Sequence, residues 1–144
     1  MPTISRFDVL IIGSGAAGMS LALQLPPQLK VAVLSKTQLG SGSTLWAQGG
    51  MAAVLHDRDS VQAHVTDTLA AGAGLCHEPA VQFTVGRSRQ MVDWLVSQGM
   101  HFDLREDQQD AEFREFHLTT EGGHSHRRDI HAADQTGRAL SGVL

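Results

Sequence analysis

The chain of 144 residues contains a single cysteine, Cys76, which excludes an internal disulfide and is typical of a reducing compartment. It has no apolar run close to the ~18 residues of a membrane-spanning helix. Its N-terminus does not follow the order of a secretory signal, because Arg6 and Asp8 stand where the apolar region would be. Basic residues are also few, and the net charge of −4 does not favour nucleic acid or an anionic membrane as a partner. These features predict a cytoplasmic protein.

The remaining composition predicts one globular domain. Apolar residues make up 42% of the sequence and charged residues 18%, which is ordinary for a protein with a hydrophobic core. A chain of this length can bury about two-thirds of the surface that it exposes when unfolded. The sequence contains no internal repeat and no low-complexity tract, so the function has to be inferred from local motifs.

The most informative motif lies in residues 7–18. Four consecutive apolar residues at 9–12 predict a parallel strand that is buried on both faces. The pattern G-x-G-x-x-G follows at Gly13, Gly15 and Gly18 and leads into a predicted helix. In that pattern the first glycine permits a tight turn, the second allows a pyrophosphate to approach the backbone, and the third allows close helix–strand packing. The free N–H groups and the dipole of the helix also favour a diphosphate.

The residues that follow make this motif more specific, since G-x-G-x-x-G alone is a weak signal in a chain with 15 glycines. Pro26 and Pro27 end the helix, and residues 30–35 predict a second buried strand. The result is a βαβ unit of the length that a dinucleotide site requires. Ser35 and Lys36 stand where an acidic residue usually binds the adenosine ribose. A lysine there would suit a 2′-phosphate, so a non-catalytic NADP(H)-binding module is one alternative.

Downstream, the pattern predicts further helices and a hairpin. A helix begins at Asp59 or Ser60, which are capping residue types, and ends at Gly72. A second helix has Pro79 at its first position and an apolar stripe that ends at Gly99. The other predicted elements are a loose β-hairpin of residues 102–105 against 112–118 and the start of a last helix at 131–140.

Residues 119–128 form a second unusual stretch. Gly122 and Gly123 can present backbone N–H groups, and Arg127 and Arg128 can supply charge-assisted donors. The stretch therefore predicts an anion cradle for phosphate or carboxylate, with a solvated basic loop as the alternative.

The other polar residues of this stretch allow two interpretations each. Zinc binding by His124, His126 and His131 is disfavoured, because the neighbouring arginines repel a cation and the ligand set is incomplete. We therefore predict no metal site. Glu121 is the one carboxylate in the stretch, and with the arginines it would suit a dicarboxylic amino acid. A structural salt bridge explains Glu121 equally well.

Three blocks together, residues 8–18, 42–50 and 120–128, resemble the succinate dehydrogenase/fumarate reductase family of flavoproteins. Segments 67–74 and 131–134 are also similar to that family. The resemblance implies an α/β fold, namely a Rossmann-like FAD-binding domain of a GR2-type flavoprotein that is incomplete at its C-terminal side. Residues 1–144 would then be the N-terminal part of that domain, with the capping domain and the helical C-terminal domain absent.

The resemblance also implies FAD as the cofactor. The FAD would be held non-covalently, because membrane-bound relatives carry a flavin-linked histidine where this chain has Ser43. Residues 14–17 would lie against the pyrophosphate, Lys36 near the adenosine, and residues 43–50 along the ribityl chain and the flavin. The implied cofactor-binding residues are Gly13, Ser14, Gly15, Ala16, Ala17, Gly18, Lys36, Ser43, Thr44, Leu45, Trp46, Ala47, Gln48, Gly49 and Gly50.

Within the family, the motifs are most similar to members that oxidise L-aspartate to iminoaspartate by hydride transfer to the flavin. Glu121 matches the residue that orients the amino group of the substrate there. Oxygen or fumarate would reoxidise the flavin, and iminoaspartate would pass to quinolinate synthase for NAD biosynthesis. The family's catalytic arginine would lie beyond residue 144, so no catalytic residue is expected in this chain. A soluble fumarate reductase or succinate dehydrogenase flavoprotein is the other enzymatic alternative.

Overall fold

The computed structural model describes residues 4–105 and 115–144. The first sheet has two parallel strands, β1 (Val9–Ile12) and β2 (Val31–Leu34), in which Val9 pairs with Val31. Helix α1 (Ala16–Gln24) connects the two strands and packs against both. The βαβ unit that the sequence predicts is therefore confirmed.

The predicted burial of these strands on both faces is wrong for this chain. Ile11 is buried, but Leu10 is 60% exposed, Ile12 is 80% exposed and Leu34 is 55% exposed. Helix α1 covers the face to which Ile11 belongs, and the described residues leave the opposite side chains open to solvent. The strands are therefore apolar on both faces, but the described residues cover only one of them.

A second sheet is antiparallel and was not predicted in this form. It contains β3 (Met51–Ala52), β4 (Leu118–Thr119) and β5 (Asp129–Ile130), with β5 in the centre. The chain before β4 pairs with residues 103–105 through an isolated antiparallel bridge between Leu104 and Phe116. The predicted hairpin is confirmed for these residues, whereas residues 112–114 lie outside the described part of the chain.

The helices follow the sequence pattern in part. Ser60 caps α2 (Val61–Ala71) through a 3.1 Å hydrogen bond from the Ala63 amide, as predicted. The single helix predicted from residue 79 to 99 is wrong, since α3 (Glu78–Gly86) ends before α4 (Ser88–Ser97) begins. Gly86 weakens the helix at this point, and the Ser88 hydroxyl donates to the Val85 carbonyl at 2.8 Å.

The last helix, α5 (Thr136–Val143), begins five residues later than predicted, because Ala133 has a φ of 47°, outside the range of a right-handed helix. Its first turn packs on the chain at residues 44–47. The amide of Gly137 donates to the carbonyl of Ala47 at 2.9 Å, and a Cβ on Gly137 would collide with the Thr44 carbonyl oxygen. Glycine is therefore needed at this contact.

The hydrophobic core lies between the second sheet, α4 and α5. Its buried members are Ala53, Val92, Leu95, Met100, Phe102 and Ile130, and side chains of α5 pack against them. Among the helices of residues 4–105 and 115–144, none has the length and apolar character to cross a membrane.

Candidate functional site

The turn between β1 and α1 has the geometry that its glycines predict. Gly13 has a φ of 116°, in the region that favours glycine, and its amide donates to the Leu34 carbonyl at 2.9 Å. A Cβ on Gly18 would collide with the carbonyl oxygen of Gly13 and would lie 3.3 Å from the Ile11 side chain. The predicted roles of Gly13 in the turn and of Gly18 in close packing are confirmed.

The first turn of α1 contacts the short 3₁₀-helix Ser43–Trp46. The N-cap residue of α1, Gly15, has no side chain to cap the helix, and the amide of Ala16 instead donates to Thr44 Oγ1 at 3.1 Å. Ser14 Oγ donates to Ser35 Oγ at 2.9 Å, which connects the turn to the end of β2. These hydrogen bonds join residues that are 21 and 28 positions apart in the sequence.

The space in front of this turn is open. A cavity of about 180 Å³ is bounded by the turn, by the loop that precedes the 3₁₀-helix and by the end of α5. Side chains therefore do not fill the place where the sequence predicts a diphosphate, and the first turn of α1 borders it.

Residues 43–50 lead from this cavity to the second sheet. Trp46 is 73% exposed, and the three residues after it are also exposed. At the end of the segment, a Cβ on Gly50 would collide with the Asp129 carboxylate. The segment is thus held at its beginning by Thr44 and at its end by Gly50, while residues 46–49 between them are exposed.

The other predicted cofactor residues lie around this cluster. Ala17 is exposed on α1, Leu45 is half-buried in the 3₁₀-helix, and Lys36 is exposed after β2. Within the described residues, no hydrogen bond joins the Lys36 side chain to the turn.

Glu121 lies exposed in the loop that connects β4 to β5. Its amide donates to Nδ1 of His124 at 3.3 Å, and its carbonyl accepts from the His124 amide at 3.1 Å. Gly123 has a φ of 86°, which closes this turn.

Comparison with known proteins identifies the family. Residues 8–144 match the family model described as FAD binding domain, which is the domain of the succinate dehydrogenase/fumarate reductase flavoproteins. The chain belongs to this family. The fold class predicted from the sequence is confirmed, and membership favours FAD over NADP as the nucleotide of the open turn.

The matches to curated relatives cover almost the whole of this chain. The chain is 60% identical over 141 residues to the L-aspartate oxidase of Pseudomonas aeruginosa, covering 96% of this chain and 26% of that protein. It is 56% identical over 137 residues to the L-aspartate oxidase of Yersinia pestis, covering 95% of this chain and 25% of that protein.

Solved structures give the same picture. A variant of FrdA from the E. coli quinol fumarate reductase is 31% identical with a TM-score of 0.86, covering 95% of this chain and 23% of that chain. The Mycobacterium smegmatis Sdh1 complex in its apo form is 29% identical with a TM-score of 0.86, again covering 95% of this chain and 23% of the other. The chain spans about a quarter of the length of the curated relatives that it matches.

In this FAD-binding domain, Arg128 does not contribute to an anion cradle, and that prediction is wrong for this residue. Its side chain is fully buried and forms ion pairs with two carboxylates. Nη2 and Nε lie 2.8 and 2.9 Å from the two carboxylate oxygens of Asp59, and Nη1 lies 2.7 Å from Asp67 Oδ2. Arg127, in contrast, is exposed. Arg128 therefore fastens the Glu121 loop to the start and the middle of α2.

The electrostatics of this contact agree with its geometry. Burial raises the pKa of Asp59, but hydrogen bonds from Arg128 and from the Ser60 amide outweigh burial, so the pKa lies below its ordinary value. Hydrogen bonds from the Ser125 hydroxyl and amide, and then from Arg128, hold the pKa of Asp67 well below its usual range. Both carboxyl groups are ionised at neutral pH, as a buried guanidinium requires.

The histidines of this region contact other side chains. His126 Nδ1 lies 2.9 Å from Ser125 Oγ and 3.6 Å from Asp59 Oδ1. His131, which follows β5, lies 2.9 Å from the His117 ring and 3.1 Å from the Asp103 carboxylate. In the part of the chain that the structure describes, no group of three or more potential ligands could hold a metal ion.

Two buried residues near Glu121 were missed from the sequence. Asp129 is 5% exposed, and Thr119 Oγ1 donates to its carboxylate at 3.4 Å. Burial, and then the negative charge of Glu121, raise the pKa of Asp129. His64 is 6% exposed on α2 and packs against the His124 ring. Neither residue belongs to a recognisable motif, so only the tertiary structure connects them with Glu121.

Proposed function

We propose that this chain is the N-terminal, nucleotide-binding part of an L-aspartate oxidase. The observation that carries the proposal is the combination of an open glycine turn with an exposed Glu121 in a chain that is 60% identical to a relative of that name. The reaction would convert L-aspartate to iminoaspartate. When bound, FAD would supply the hydride acceptor, with oxygen or fumarate as the final electron acceptor.

The residues of the turn fit a flavin nucleotide. Residues 14–17 would lie against the diphosphate, because the glycine turn and the first turn of α1 border the open cavity. Lys36 would lie near the adenosine, and residues 43–50 would follow the ribityl chain to the flavin. Ser43 has a hydroxyl and no imidazole, so we propose that the FAD is held non-covalently.

Glu121 would select the substrate. Its carboxylate is exposed on a turn whose backbone is fixed by His124. A carboxylate at this place would bind the ammonium group of aspartate, which succinate does not have. We place the catalytic arginine and the capping domain of the oxidase outside residues 1–144.

We also propose a metabolic role and a cellular location for the full-length protein. Iminoaspartate would be consumed by quinolinate synthase in NAD biosynthesis. The single cysteine is in keeping with a cytoplasmic location, which we propose as well.

The test is an absorption spectrum of the full-length protein before and after anaerobic addition of substrate. We expect a flavin spectrum that aspartate bleaches and succinate does not. Acid precipitation should release the flavin into the supernatant, whereas a flavin that stays with the pellet would contradict non-covalent binding. Bleaching by succinate alone would instead identify a succinate dehydrogenase or fumarate reductase flavoprotein.

A further inference from the structure

The position of Glu121 depends on the ring of His124. Nδ1 of that ring accepts a hydrogen bond from the Glu121 amide at 3.3 Å, and the His124 amide donates to the Glu121 carbonyl at 3.1 Å. The peptide groups on both sides of Glu121 are therefore held from one residue. The position of the His124 ring therefore determines the position of the Glu121 backbone, from which the carboxylate extends.

The His124 ring is in turn held by α2. It packs edge-on against the ring of His64, with 5.9 Å between the ring centroids and 79° between the ring planes. His64 is 94% buried, and its Nδ1 bonds to no described residue. A buried polar atom without a partner is unfavourable, so the contribution of His64 lies in its ring contact.

The same helix fastens the loop at a second point. Asp67 follows His64 by one turn of α2, and its Oδ2 accepts from the amide and the hydroxyl of Ser125 at 2.8 and 2.7 Å. This contact holds the chain after His124 and makes no hydrogen bond to Glu121. The two contacts can thus be separated by mutation.

We propose that His124, supported by the ring of His64, is a positioning residue that sets the Glu121 carboxylate for the ammonium group of the substrate. The proposal rests on the proposed function for the role of Glu121. His124 would thus affect substrate binding indirectly, through the position of the Glu121 backbone.

The test compares three substitutions of His124 in the full-length protein. Asparagine places an acceptor oxygen on Cγ, where histidine has Nδ1, while glutamine places its acceptor one bond further away and leucine has none. We expect His124→Leu and His124→Gln to raise KM for aspartate about tenfold with kcat almost unchanged. His124→Asn should keep KM for aspartate close to the wild-type value. A fall in kcat at constant KM, or equal effects of all three, would overturn the proposal.

Fumarate is the matched substrate, since it has no ammonium group. We expect the same variants to leave KM for fumarate unchanged, and an equal increase for both substrates would contradict positioning of Glu121. At position 64, His64→Phe keeps an aromatic ring and should retain aspartate affinity, whereas His64→Ala should behave like His124→Leu.

Hydrogen exchange provides a readout that does not need turnover. The peptide that contains the Glu121 amide should exchange faster in His124→Leu and His124→Gln than in the wild type or in His124→Asn. If the wild type does not oxidise aspartate but this difference appears, the proposed function fails and the positioning by His124 stands. If aspartate is oxidised and exchange is the same in all variants, the positioning inference is wrong.

Discussion

At the scale of single residues, Glu121 stands out because its charge is opposite to that of its sequence neighbours. Of the two nearby arginines that could neutralise it, Arg127 is exposed, while Arg128 forms ion pairs with Asp59 and Asp67. The structural salt bridge that would explain Glu121 without a substrate therefore does not form with Arg128. An exposed carboxylate on a fixed turn is available to bind a cation.

We expect Glu121→Gln in the full-length protein to raise KM for aspartate by about tenfold to a hundredfold. The amide keeps the shape of the side chain but loses a charge-assisted hydrogen bond, for which about 1.5–3 kcal/mol is typical. Steady-state kinetics with aspartate and with fumarate measure the effect. Asp93→Asn, which removes an exposed carboxylate from α4, is the matched control, and unchanged aspartate affinity in Glu121→Gln would refute the assignment.

Arg128 shows how a residue of a predicted binding motif becomes part of the framework. Its guanidinium is fully buried, and leaving such a charge without a partner would cost several kcal/mol. Three hydrogen bonds to two carboxylates remove that cost and connect the loop to α2. The sequence showed the arginine but not its partners, which lie 61 and 69 positions away.

At the scale of elements, α2 supports the Glu121 loop and contains a group that responds to pH. Burial, and then the positive charge of Arg128, lower the pKa of His64 from its ordinary value of 6.5. Between the folded-state pKa and 6.5, the unfolded chain therefore binds a proton on His64 that the folded protein does not bind. Stability is highest above pH 6.5 and is lost as the pH falls from 6.5 towards the lower folded-state pKa.

We expect His64→Phe to flatten this acid dependence. One proton contributes at most about 1.4 kcal/mol per pH unit to the slope, and phenylalanine cannot bind one. Urea unfolding of the full-length protein at several pH values below neutrality measures the slope. His101→Gln removes an exposed imidazole and serves as the control, and equal slopes in wild type and His64→Phe would contradict the assignment.

The elements also show what local sequence can predict. The βαβ unit and the Ser60 cap were predictable, because adjacent residues determine strand, turn and cap. The break between α3 and α4 was not, since the apolar stripe continues through Gly86 while the helix does not. The short strand β5 escaped prediction because it has only two residues, Asp129 and Ile130, and one of its partners, β3, lies far away in the sequence.

At the scale of the whole molecule, the parallel sheet exposes more apolar surface than such sheets usually do. Leu10, Ile12 and Leu34 are all more than half exposed on β1 and β2, although parallel sheets are normally covered on both faces. The chain also spans about a quarter of the length of its relatives. We infer that residues 1–144 provide only part of the contacts that FAD would make in the full-length protein.

This incompleteness leads to an expectation for the isolated chain. Residues 43–50, which we propose to follow the ribityl chain to the flavin, include Trp46, which is 73% exposed. The cavity at the glycine turn has a volume of about 180 Å³. Contacts on one side of a ligand leave much of its surface in water, whereas tight sites bury about 70–90% of it. We therefore expect residues 1–144 to bind FAD only weakly, as measured by quenching of flavin fluorescence, and to form no peroxide from aspartate. Peroxide production by the purified chain with FAD and aspartate would show that the catalytic groups lie within these residues after all.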